Sequence, residues 1–153
     1  DHGVGFDRSA DVVVDLSDLS ASDFSCTPTV VPPGRTVTCG LTLVNAGTAD
    51  ADAVVARIRP PGRLMPVASS LRAYGGEREW RLEGDAITWT GPLPADSESR
   101  LTFQLVVPKT PVRRVLYGIA FLEDDTGGRW ERPTWLDIRP WEAHLPITLK
   151  RNR

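Results

Sequence analysis

Thr36-Val37-Thr38-Cys39-Gly40-Leu41-Thr42-Leu43 decides the fold class. Apolar Val37, Cys39, Leu41 and Leu43 alternate with Thr36, Thr38, Gly40 and Thr42, the period of two expected of a strand with one face buried and one in water. The same alternation runs from Arg100 to Val107, where Leu101, Phe103, Leu105 and Val107 form the apolar set. Two such inward faces need a second layer to cover them. Between them, Val54 to Arg59 reads as a strand with Val55, Arg57 and Arg59 in phase, stopped by Pro60-Pro61-Gly62; the Ala-rich approach from Ala49 to Ala56 leaves room for a helical turn. Glu79 to Leu82 and Ala86 to Thr90 form a hairpin closed by Glu83-Gly84-Asp85, where Gly84 supplies a positive φ and Trp80 and Trp89 share a face. Gly91 to Ser97 reads as a loop leading into the Arg100 strand. Val115 to Glu123 is apolar on both faces and suits a central strand, and Asp124-Asp125-Thr126-Gly127-Gly128 turns it back into Trp130 to Ile138. Upstream, Asp11 to Ala21 reads as one or two edge strands whose Asp and Ser residues discourage edge pairing. Seven or more short strands with turn signals between them, and no convincing helix, predict an all-β sandwich.

Composition agrees. The 153 residues include 13 Gly and 13 Pro, which leaves little room for long helices, and 41% are hydrophobic, enough for a single sizeable core. No stretch approaches the roughly 20 apolar residues of a membrane-crossing helix. A net charge of −2 excludes a protein built around phosphate neutralisation, so no nucleic acid is expected as a partner. The acidity is local: the first 23 residues hold six Asp against one cation, Arg8.

Cys26 and Cys39 flank Val30-Val31-Pro32-Pro33-Gly34-Arg35, a segment that must reverse the chain and bring them together, so a disulfide and an oxidising compartment are the favoured reading. Two buried free thiols are the other, since Cys39 falls on an apolar face. A zinc site has no support, because the remaining imidazoles, His2 and His144, lie near opposite ends of the chain.

The run Ala10-Asp11-Val12 … Val31-Pro32-Pro33-Gly34-Arg35-Thr36-Val37-Thr38-Cys39-Gly40-Leu41-Thr42-Leu43-Val44-Asn45-Ala46-Gly47-Thr48-Ala49 resembles a recurring bacterial surface module. It has an acidic-apolar opening, a Pro-Gly turn, an alternating Thr-rich strand, then Asn-x-Gly and an Ala/Asp-rich step. It is similar to the surface repeats catalogued as domain of unknown function eleven and to the cell-adhesion-related bacterial domain. Ile87-Thr88-Trp89-Thr90 and the polar loop before Leu101-Thr102-Phe103 match that module's second half, so the likeness covers Ala10 to Val107. It implies an immunoglobulin-like sandwich in secreted or cell-surface proteins, used as a spacer or adhesive unit, with no catalytic residues to carry over. The chain departs from the pattern twice. Ile58-Arg59-Pro60-Pro61-Gly62 stands where an Asp-x-Leu-Pro element is usual, and the Val115 to Ile138 hairpin replaces an Asn-rich ending.

Candidate chemistry is sparse. Neither a Gly-x-Ser-x-Gly elbow, a His-Glu-x-x-His pair nor a phosphate-cradling Gly loop is present, and the acids beside Gly127-Gly128 are ordinary turn residues, so no enzyme and no cofactor are expected. Calcium ligands could come from Glu123, Asp124, Asp125 and Thr126, or from Asp50 and Asp52, but without a complete ligand loop solvated turns are the expectation and no metal is assigned. Five tryptophans stand out, at 80, 89, 130, 135 and 141. The favoured reading is that the tryptophans plug the core and cover edges, with no affinity for common polysaccharides; the exceptions are Trp130 and Trp135, which fall on opposite strand faces and, with Arg129 and Arg132 beside them, are the candidate ligand platform, since a Trp offers a flat apolar face to a sugar ring.

The organisation expected is a boundary or linker at 1–9, a sandwich module at 10–139 with an added C-terminal hairpin, and a tail at 140–153. In that tail Leu145-Pro146-Ile147-Thr148 resembles a sortase signal but has Leu149 in place of the Gly, so a short strand docking on the sandwich is expected. The partners are other domains of the same polypeptide and a surface protein or glycan. The functional expectation is a non-catalytic spacer or interaction module outside the cell, with a carbohydrate-binding accessory domain of a secreted hydrolase as the alternative.

Overall fold

A computed structural model describes residue 3 and residues 14–75, 79–110 and 112–140. Ten strands form two packed sheets: β1 (Asp23–Thr27), β2 (Val30–Val31), β3 (Thr36–Asn45), β4 (Ala51–Arg59), β5 (Arg72–Tyr74), β6 (Glu79–Glu83), β7 (Ala86–Leu93), β8 (Ser97–Val106), β9 (Arg114–Asp124) and β10 (Arg129–Ile138). The four-stranded sheet has the order β1-β3-β8-β5 and the six-stranded sheet β2-β10-β9-β4-β7-β6. All neighbours are antiparallel except β2, which lies parallel to the end of β10. The chain is therefore an immunoglobulin-like β-sandwich.

The period-two stretches meet face to face. Val37, Cys39, Leu41 and Leu43 of β3 and Leu101, Phe103 and Leu105 of β8 are all buried, opposed by Val54, Ala56 and Ile58 of β4, Ile87 and Trp89 of β7, and Leu122, Leu136 and Ile138 of the β9–β10 hairpin. At about 25 cal/mol per Å² of apolar area removed from water, this interlayer is the main stabilising contribution. Trp89 fills the core, and Trp80 on the directly opposed position of edge strand β6 remains partly in water.

Three expectations change in the structure. The Ala-rich stretch is strand, not helix: β4 starts at Ala51, and a register shift between Ala51 and Val54 absorbs the irregularity. β7 continues through Gly91, Pro92 and Leu93. Pro92 falls within the register shift of the β4–β7 pairing, between the Ala51–Leu93 and Val54–Gly91 pairs, where the ladder is already irregular. The edge strand is Asp23–Thr27, whereas residues 14–22 are not strand. They are held otherwise: Leu16 O accepts from Thr48 N and Ala49 N, Asp18 O accepts from Ala46 N, and Leu19 plugs the core. Gly47 is required where this segment passes, because a Cβ there would lie 2.1 Å from Leu16 O. The portion of the expected edge strand at 11–13, the linker at 1–9 apart from residue 3, and the tail strand after 140 lie outside the described residues.

Candidate functional site

Cys26 and Cys39 occupy directly opposed positions on β1 and β3 and form a disulfide, both buried in the core. The bridge lies within one sheet and ties the short edge strand to its neighbour. Asn45, at the end of β3, is fully buried and uses its whole carboxamide. Its Oδ1 accepts from Asp18 N and Gly47 N at 3.0 Å each, and its Nδ2 donates to the carbonyls of Ala49 and Leu93 at 2.9 Å each. The Asn-x-Gly element thus ties the N-terminal segment, the β3–β4 connection and the end of β7 together.

The acidic turn after β9 is organised around Asp124. One carboxylate oxygen accepts from the Ser17 hydroxyl, and the other from Thr126 N (3.1 Å), the Thr126 hydroxyl (2.9 Å) and Gly128 N (2.7 Å). Burial pushes this carboxyl up, but the four donors outweigh it and hold it below its ordinary 3.8. Both of its oxygens are engaged by protein donors. Asp50 likewise accepts from Ala95 N at 2.8 Å. Among the described residues, no three His, Cys, Asp or Glu side chains are grouped to hold a metal ion.

The tryptophan region divides between the two sides of β10. Trp130 turns inward, half-buried against the core. Arg132, on the same side, is a clamp: its guanidinium donates to the carbonyls of Ser20, Ser22 (2.7 Å) and Glu131 (2.7 Å), fastening the N-terminal segment to the sheet. Trp135 and Arg129 point outward. Trp130 and Arg129 both border one groove on the sheet, while Arg132 and Trp135 lie outside it, so the four residues singled out in the sequence do not converge on one surface.

A surface does form around Trp135, and its main partner was not singled out. On the outer face of the six-stranded sheet Trp135 stands directly opposite Tyr117, and they are 46% and 73% exposed. Val115 adjoins them, and the next row is Ile119 opposite Pro133, with Arg59 beyond Ile119. Then come Phe121 opposite Glu131 and Arg57, and Glu123 opposite Arg129 and Val55. The Arg59 guanidinium lies 5.7 Å from the centre of the Phe121 ring, and Arg129 pairs with Glu123 at 3.4 Å. This charged end is concave, a groove of about 630 Å³ that also takes in Thr88 and Glu83. The opposite sheet differs sharply: its outward positions include Thr36, Thr38, Thr42, Arg100, Thr102 and Gln104, a solvated face. A signal for Tyr117 was present in the sequence, since β9 is apolar on both faces. That pattern predicts a central strand, which β9 is, and ordinarily a cover on each side; among the described residues the outer side has none.

With the geometry in place, comparison with solved structures supports the fold. The chain is similar to BcpA, the major pilin subunit of Bacillus cereus (TM-score 0.53, 13% identity, 78% of this chain and 39% of that one). It is also similar to a Corynebacterium diphtheriae protein described as membrane-anchored (TM-score 0.61, 9% identity, 84% and 38%) and to the collagen adhesin of S. aureus (TM-score 0.53, 8% identity, 76% and 49%). The chain spans less than half the length of each. No family model matches the sequence, and no curated protein matches it.

Proposed function

We propose that this chain is a non-catalytic structural or adhesive module of a secreted or cell-surface bacterial protein, acting as a spacer or interaction unit within a longer polypeptide, of the surface-repeat kind its first half resembles. The observation that carries this reading is the buried Cys26–Cys39 bridge across neighbouring strands of an immunoglobulin-like sandwich. Disulfides persist in oxidising compartments, and the same sandwich is found in the pilin and adhesin chains above. Residues 10–139 are the module on this reading, with 1–9 and 140–153 as its connections. A carbohydrate-binding accessory domain is the second reading, and the exposed Tyr117–Trp135 pair favours it.

Native protein taken from its source bacterium without reduction tests the first reading. The expected result is a protein outside the cytoplasm whose intact mass shows no thiol alkylation until reductant is added, and then two adducts. Two freely alkylated cysteines in the native protein would overturn it.

A further inference from the structure

We propose that the outer face of the six-stranded sheet binds a neutral polysaccharide of equatorially substituted pyranose rings, with Trp135 and Tyr117 as the stacking platform. The proposal rests on the surface-module reading and gives that module a ligand. Three observations carry it. First, the two residues hold directly opposed positions on β9 and β10, Tyr117 largely and Trp135 about half in water, on a strand pair whose other side is core. Exposed aromatic side chains at opposed positions on a rigid sheet suit a ligand that is flat and apolar on one side, and a pyranose with equatorial hydroxyls presents such a face of axial C–H bonds.

Second, the face continues past Ile119 and Pro133 into the groove, so the path from the Val115 row to the Glu123 row is about 27 Å long at 3.3 to 3.4 Å per residue. That accommodates an extended chain rather than a single small molecule.

Third, the charges in the groove balance: Arg57, Arg59 and Arg129 are matched by Glu83, Glu123 and Glu131. A polyanion or a basic protein would meet no net complementary field there, whereas planar guanidinium donors beside carboxylate acceptors offer pairs of hydrogen bonds to adjacent hydroxyls. A second copy of the chain is the competing occupant, and the test separates it.

The full chain is assayed for retention on insoluble cellulose and chitin, and titrated with cellohexaose and chitohexaose. Retention on at least one matrix is expected, with affinity falling about tenfold or more in Trp135→Ala and in Tyr117→Ala. Both variants should keep the wild-type melting temperature within a few degrees, since exposed side chains contribute little to stability. Arg57→Gln, in the groove, should weaken the hexasaccharides more than it weakens shorter oligomers. The proposal is overturned if wild-type protein with its disulfide intact is retained on neither matrix, or if a variant carrying both Trp135→Ala and Tyr117→Ala binds as well as wild type. It is equally overturned if sedimentation shows a dimer that Trp135→Ala dissolves while no glycan binds. None of these outcomes touches the surface-module reading, which fails only on free cysteines or a cytoplasmic location.

Discussion

The carboxamide of Asn45 meets four backbone groups from three places in the chain, so this one residue joins the N-terminal segment, the β3–β4 connection and the end of β7. Replacing it by Ala strands two N–H donors and two carbonyls in a buried position. Each unsatisfied buried group costs about 1 to 3 kcal/mol, less where water can enter, so Asn45→Ala should lose about 3 kcal/mol of unfolding free energy and lower the melting temperature by roughly 10 °C. Asn45→Asp keeps the acceptor and loses the two donated bonds, and should be destabilised as well. Urea denaturation monitored by tryptophan fluorescence measures both, and a loss below about 1 kcal/mol in Asn45→Ala would refute the junction role. Motif spacing marks Asn45 and Gly47 in the sequence. Their reason is visible only once Leu16 and Leu93 are seen to pass within reach.

Among the elements, β1 is the one most in need of fastening. It has five residues and pairs only with β3, its hold on the core coming from Phe24, Cys26 and the bridge. Phe24 packs at 6.4 Å centroid separation against Phe103 of β8, across the intervening β3. Closing a loop of 13 residues' separation should contribute about 3 kcal/mol in the chain-entropy account. The Cys26→Ala/Cys39→Ala double variant is therefore expected to retain its β-sheet circular dichroism and to lose about that amount in urea denaturation. An unchanged midpoint with an unchanged slope would show that β1 is held by packing alone. The strands β3, β8, β9 and β10 and the Gly84 hairpin were legible, because alternation and turn chemistry are local. β1 was not, because Asp23-Phe24-Ser25-Cys26-Thr27 is short and its pairing is set by β3 and the bridge, and the Asp-rich residues before it resembled a better edge.

At the scale of the whole molecule, the bond from Ser17 to Asp124 connects residues 107 positions apart and locks the N-terminal segment against the β9–β10 turn. Its pH dependence follows from the Asp124 carboxyl being held below its ordinary 3.8 in the folded state. A group with a depressed folded pKa contributes stability above its unfolded pKa and loses that contribution as pH falls through the folded value. Asp137, whose carboxyl is held down by Arg113 and Arg139, acts in the same direction. Unfolding free energies measured from pH 7 down to pH 2 should therefore decline less steeply in Asp124→Asn than in wild type, with the curves converging at the acid end. Parallel curves would show that the Asp124 network carries no proton-linked stability.

The sequence by itself determined the fold class, the layer faces of β3 and β8, the central place of β9 and the closeness of Cys26 and Cys39. Each of these depends on side-chain period or on a chain reversal, which are written along the chain. The tertiary structure alone decided which aromatic residues meet. Trp130 and Trp135, five apart, fall on opposite sides of β10 by strand period alone, whereas Trp135 and Tyr117, 18 apart in sequence, are brought together only by hairpin register. It also decided that Arg132 is a backbone clamp and that the apolar outer side of β9 is left open. Register and layer contact are set by the joint packing of distant segments, and no local pattern records them.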